Sequence, residues 1–419
     1  MKLSKLAMIA AIACGIHGSN ASADQLGYNI QPVSHIESCD SECDLGGCDG
    51  GCDSAGCGLL GGGELGDPWT LFGEHEGISA GGWLQLGYHT ANNRRNFNNR
   101  ADEVQLQQAW LYAEKAIDTS SGFDIGGRID YLYGTDAQDT QAFGTGQRGW
   151  DNPWDNGAYG HAIPQAYVEA GYGDLSVKAG HFFTIIGWEV VAAPDNFFYS
   201  HAYTMYNSEP FTHTGVLAKY AVDDNTTAWG GYVLGWDSGF DDNGDAFLGG
   251  ISRGLTDDLT LTYATIMGRF AEARFLGVEK GYMHSLVADY AVTEKLQYII
   301  QNDYLDTEDG ADARVRNTLG INQYLIYNIN DKWAYGSRFE WWNVSRDSTL
   351  FPVASDGNAD VYALTTGLNY RPHANLIIRP ELRYDWVRGA TAAEAEAFVF
   401  EPGSGRDQFT FGMDTIVTF

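Results

Sequence analysis

Residues Asp407 to Phe419 read Asp-Gln-Phe-Thr-Phe-Gly-Met-Asp-Thr-Ile-Val-Thr-Phe, and the sequence stops on that last aromatic ring. Phe409, Phe411, Met413, Val417 and Phe419 share one face of an extended strand, and Thr410, Gly412, Asp414 and Thr418 share the other. A strand this apolar is an aggregation-prone edge unless something pairs with it. Closing a barrel against the first strand removes both edges, so this stretch predicts a closed sheet.

Working back from it, alternating runs separated by turn residues recur about sixteen times, the size of a large transmembrane barrel. In the third run Phe123, Ile125, Ile129, Tyr131 and Tyr133 oppose Arg128 and Asp130. In the fifteenth, Leu376, Ile378, Leu382, Tyr384 and Trp386 oppose Arg379, Glu381, Arg383 and Asp385. A face that charged cannot touch lipid. After the second run the connections alternate between short and long. Gly173-Asp174, Thr293-Glu294 and Asn330-Asp331 are short, whereas Thr135 to Ala162, Arg269 to Lys280, Thr307 to Ala313, Asp347 to Ala359 and Gly389 to Arg406 are long and polar. That sorting predicts an all-β, antiparallel, up-and-down transmembrane β-barrel with both termini on the short-turn, periplasmic side.

One long connection is different in kind. Between Phe183 and Phe211 the chain carries Ile185, Ile186, Trp188, Val190, Val191, Phe197, Phe198 and Tyr199. So much apolar surface does not sit in water. Two places would cover it, the lumen or a subunit interface, and the lumen is the expectation, with Glu189, Asp195 and Glu209 as constriction residues.

Composition agrees with a β-rich membrane protein: 52 Gly, 24 Tyr, 20 Phe and 12 Trp stand beside 10 Pro. Residues 1–23 read as a secretory signal peptide, with Lys2 and Lys5, an apolar run from Leu6 to Ile16, and Ala21-Ser22-Ala23 as the cleavage site. The formal charge of −30 speaks against nucleic acid as a partner. Residues 24–76 form a Cys/Gly/Asp-rich extension, expected to be disordered, ahead of a barrel over 77–419. Its Cys39, Cys43, Cys48, Cys52 and Cys57 fit no zinc spacing; in an exported chain they read as disulfide candidates, either internal or to another envelope protein.

No catalytic residue, cofactor or metal is expected. Gly250-Ile251-Ser252-Arg253-Gly254 has the form of a nucleophile elbow, but it leads through a tight turn into another strand, where that chemistry needs a helix. No enzyme is read from it.

The strand ending Ala179-Gly180-His181-Phe182, the following Gly187-Trp188-Glu189, Asn196-Phe197-Phe198, and Pro210-Phe211-Thr212-His213-Thr214-Gly215-Val216 resemble the putative β-barrel porin-2 (OmpL-like) family, over roughly Gly77 to Phe419. The final strand resembles the C-terminal signal that barrel-insertion machinery reads. The resemblance implies an outer-membrane pore for small hydrophilic solutes, in contact with outer-membrane lipids, as a monomer or a homo-oligomer. A structural envelope protein anchored by its barrel is the alternative. The inward faces then supply the pore-lining candidates: Arg128, Lys178, Lys219, Arg338, Arg379 and Arg383 against Asp130, Glu169, Asp289, Asp303, Glu340, Glu381 and Asp385. The acidic excess falls mostly in the long loops, among them Asp151, Asp237, Asp245, Glu308, Asp312 and Glu394.

Overall fold

In the last strand, Thr415 pairs with Leu86 and Val417 with Leu84 of the first long strand, so the sheet closes on itself. The computed structural model describes residues 65–142, 151, 154–240, 244–273, 277–347 and 359–419. The expected signal peptide over residues 1–23 and Cys39, Cys43, Cys48, Cys52 and Cys57 lie outside the described residues. The strands run in chain order as β1 (Gly73–His75), β2 (Ile78–His89), β3 (Gln105–Lys115), β4 (Phe123–Gly134), β5 (Gly160–Ala162), β6 (Ala166–Tyr172), β7 (Leu175–Phe183), β8 (Thr212–Asp223), β9 (Thr226–Val233) and β10 (Asp245–Thr256). They continue as β11 (Leu259–Ala273), β12 (Gly277–Thr293), β13 (Leu296–Asp309), β14 (Arg314–Asn330), β15 (Trp333–Asp347), β16 (Ala359–His373), β17 (Leu376–Arg388) and β18 (Asp407–Thr418). Setting aside the three-residue pieces β1 and β5, sixteen antiparallel strands make the closed wall.

The two faces of the wall separate as their alternation requires. Phe409 and Met413 on β18 are exposed on the outer side, while Asp414 and Ile416 are buried inside. The tight connections are set by short polar side chains. Asn330 Oδ1 accepts from the N–H groups of Lys332 and Trp333, and Thr293 Oγ1 accepts from Lys295 and Leu296 N–H. Two connections expected to be long are mostly strand: β11 and β12 keep pairing to Ala273 and Gly277, and β13 reaches Asp309. A ladder that has left the bilayer tolerates polar residues on both faces, so the alternation fades there while the pairing persists.

The inner face is less polar than expected. Phe182, Leu217, Leu248, Ile266, Met283 and Leu305 form a buried cluster with Ile186 of the long connection and with Trp236 and Phe270. A second cluster joins Val287, Ile299, Tyr324 and Ile326 of the wall to Phe197 and Phe198. These apolar inner patches are what the apolar loop covers.

Candidate functional site

Residues 184–211 leave β7, pass through the short helix α1 (Tyr203–Ser208) and return to β8. Their side chains fill the two apolar clusters, and their backbone is taken up by charged side chains of the wall. Arg379 donates to Ala193 O at 2.9 Å and Asn196 O at 2.5 Å. Arg338 donates to Ser200 O at 2.7 Å, and Arg383 to His201 O at 2.8 Å. Glu381 accepts from the N–H groups of Tyr199 and Ser200, and Glu340 from Thr204 N–H. Asp385 accepts from the Tyr203 hydroxyl at 2.8 Å. Charge-assisted bonds of this kind contribute about 1.5–3 kcal/mol each where they are satisfied.

This corrects the reading of the wall. Arg338, Glu340, Arg379, Glu381, Arg383 and Asp385 face inward as expected, yet each is at most 4% exposed because the loop lies on them. Asp303 and Asp130 are likewise buried, the latter between Trp110 Nε1 and Arg128. These eight are loop anchors and wall braces, not a lining open to water. Some of the charges pair far from their sequence neighbours, Arg379 with Asp414 across β17 and β18 and Arg338 with Glu189 of the loop at 2.5 Å, while Arg383 with Asp385 and Arg128 with Asp130 pair two positions apart.

Two of the three expected constriction residues are also engaged. Glu189 holds Arg338 and accepts from Ala202 N–H at 2.7 Å. Glu209 is buried against Gln301 of β13. Asp195 alone of the three is half-buried. Burial pushes its carboxyl up to about 6, with the Arg128 charge pulling the other way.

The other five candidates behave differently. Arg128, Glu169, Lys178, Lys219 and Asp289 are half-buried on the inner face of β4, β6, β7, β8 and β12. Arg128 bridges Glu114 at 3.0 Å and Asp130 at 2.6 Å and lies over the Tyr112 ring. The Lys178 ammonium sits 4.1 Å above the Tyr167 ring, and Glu169 takes the Ser176 hydroxyl. Trp229 stands beside Lys219 in register. Sequence reasoning missed Glu114, Tyr112, Tyr167 and Trp229, and left Asp414, though on the polar face of its strand, out of the lining. The period-2 count places every one of them on the inner face, but nothing in the sequence tells which inward residues the loop covers.

No curated protein sequence matches the chain. Among solved structures it is similar to the trimer form of OmpT from Vibrio cholerae, at 10% identity and a TM-score of 0.55, covering 82% of this chain and 99% of that one. It is similar as well to an anion-selective porin of Comamonas acidovorans (10%, TM-score 0.55, 82% and 99%) and to Salmonella typhi OmpF (11%, TM-score 0.56, 82% and 97%). The closed wall with a loop folded inside it defines an outer-membrane β-barrel porin. The profile of the family described as putative β-barrel porin-2, OmpL-like, matches residues 77–419, and the chain belongs to that family.

Proposed function

We propose that small hydrophilic solutes and ions cross through a slot between the 184–211 loop and the inner face of β4 to β12, with Asp195 facing Arg128, Lys178 and Lys219. The observation that carries this reading is the division of the inward charges. Arg338, Glu340, Arg379, Glu381, Arg383, Asp385 and Asp414 on β15, β17 and β18 are sealed under the loop, whereas Arg128, Glu169, Lys178, Lys219 and Asp289 on β4, β6, β7, β8 and β12 are half-buried and keep access to water. Positive wall groups opposite a loop carboxylate set a transverse field across the slot, orienting dipolar solutes as they pass. In this reading the short turns and both ends of the barrel face the periplasm, and the long loops face outward. Planar-bilayer recording of the purified protein tests it. Stepwise conductance that falls when Asp195→Lys is introduced supports the slot; a silent wild type supports the barrel as a mere anchor.

A further inference from the structure

On the short-turn side, β2 extends below the end of β18. Ser79 and Ala80 pair with Glu114 and Ala113 of β3 on one edge, and with Glu74 and Gly73 of β1 on the other. β1 therefore continues the line of β18 beneath Phe419, and it pairs backbone groups that would otherwise form an open edge. The turn joining it to β2 is Glu76-Gly77, both with positive φ, the two-residue geometry that suits a hairpin.

Upstream of β1 the backbone is held by one buried side chain. Asn375, in the β16–β17 turn, accepts from Trp69 N–H at 2.9 Å and donates to Trp69 O at 2.8 Å, as a strand neighbour would. The same amide donates to Thr418 O at 2.9 Å, and Ala374 N–H donates to Leu65 O. Phe72 meets Phe419 edge to face at 6.4 Å. The Phe419 ring lies over Gly82, where a Cβ would sit 3.0 Å from it, on the same outer face as Leu84 and Leu86. Trp69, Leu71 and Phe72 are about half exposed, as is Ile78 on that outer face.

We infer that residues 65–75 are a membrane-interface strap, its backbone fixed to the barrel rim by Asn375 and its Trp69, Leu71 and Phe72 side chains seated in the lipid leaflet at the short-turn end. The occupant follows from continuity. Phe72 packs on a residue of the lipid-facing surface, and Trp is the side chain best suited to the headgroup boundary. A soluble surface would not carry three large apolar side chains within four positions on a pinned backbone. The strap precedes the family's matched region, so it goes beyond the pore reading and stands whether or not the barrel conducts. Its first described residue, Leu65, sits at the rim beside the β16–β17 turn.

The test compares wild type with Trp69→Phe in phosphatidylcholine vesicles whose acyl chains are plain or brominated. A bromine-quenched emission component present in wild type and lost in Trp69→Phe is expected. Asn375→Ala should turn that component from bromine-sensitive to iodide-sensitive without changing heat-modifiable migration; if that variant does not insert, Phe72→Ala takes its place. A Trp69 component quenched by aqueous iodide in wild type, or by neither agent, overturns the inference. The second result would place it against protein instead.

Discussion

At the residue scale the least expected feature is a carboxyl pair with no cation. Gln301 Nε2 donates to Glu209 Oε1 at 2.7 Å and to Asp303 Oδ2 at 2.5 Å. Around the pair stand Ser285 on β12, Tyr324 on β14, and Glu189, which is already committed to Arg338 on β15. Among the described residues no Lys or Arg hydrogen-bonds either carboxyl. Two buried carboxyls gathered on one amide disfavour double ionisation, so a shared proton is the expected state of the joint. Burial first, and Asp303 second, push the Glu209 carboxyl well above its ordinary value of 4.5. A raised folded-state value means that loop docking is strongest in acid and weakens as pH rises from the ordinary value through the raised one. Single-channel conductance is therefore expected to increase toward alkaline pH, and Glu209→Gln, which keeps a donor in place permanently, should flatten the rise. A wild type whose conductance is constant from about pH 5 to about pH 9 counts against the shared proton. A second expectation belongs to the same joint. Arg338→Ala leaves Glu189 buried without its partner, at a cost of about 3–5 kcal/mol to loop docking. It should appear as flickering current and faster proteolysis within 184–211, with Arg338→Lys intermediate; steady wild-type current in Arg338→Ala would show that the pair does not hold the loop.

At the element scale the loop was the most legible part of the site and its seat the least. Its apolar content alone ruled out a solvated excursion, and the family-like Pro210 to Val216 marked its return to the wall. What sequence could not supply was the match between loop and wall, because Arg379 and Asn196, or Tyr199 and Glu381, are about 180 positions apart. Nor could the alternation of a strand reveal that an inward Leu217 or Met283 is a floor for Ile186 and Trp236 and not a misplaced lipid contact. Turn chemistry, by contrast, was readable residue by residue, since each Asp, Asn or Thr acts on the next few amides. Because the closed ladder holds the barrel and the loop only occupies it, deleting Val190 to Phe198 is expected to raise conductance while heat-modifiable migration is retained. Loss of the folded barrel in that deletion would mean that the loop is structural to the wall.

At the scale of the whole molecule the wall is uneven and its charge is unevenly placed. β6 and β9 have seven and eight residues, and β12 and β14 seventeen, so the proposed slot includes the lowest strands of the wall. The chain carries −30 overall, but the described loop acids are less free than their number suggests. Asp237 is buried, accepting from Phe211 and Thr212 N–H, and Asp151 is buried as well. Asp245 pairs with Arg269, and Lys280 with Glu308 and Asp312. The remaining acidity at the mouth concentrates cations, with a reach of about 10 Å at 0.1 M salt and about 3 Å at 1 M. A mild cation preference that fades as salt rises is the expected outcome. Arg379 and Arg383 should have little direct effect on it, since both are sealed beneath the loop. The cations expected to control it are Lys178 and Lys219, which among the described residues form no carboxylate bridge of the kind that ties down Arg128. Replacing both by Ala leaves Glu169, Asp289 and Asp195 in excess along the slot, and the cation preference should then persist to higher salt. Reversal potentials in a KCl gradient read this directly: anion preference in the wild type at low salt, or a double variant indistinguishable from it, would show that ions do not pass along this face.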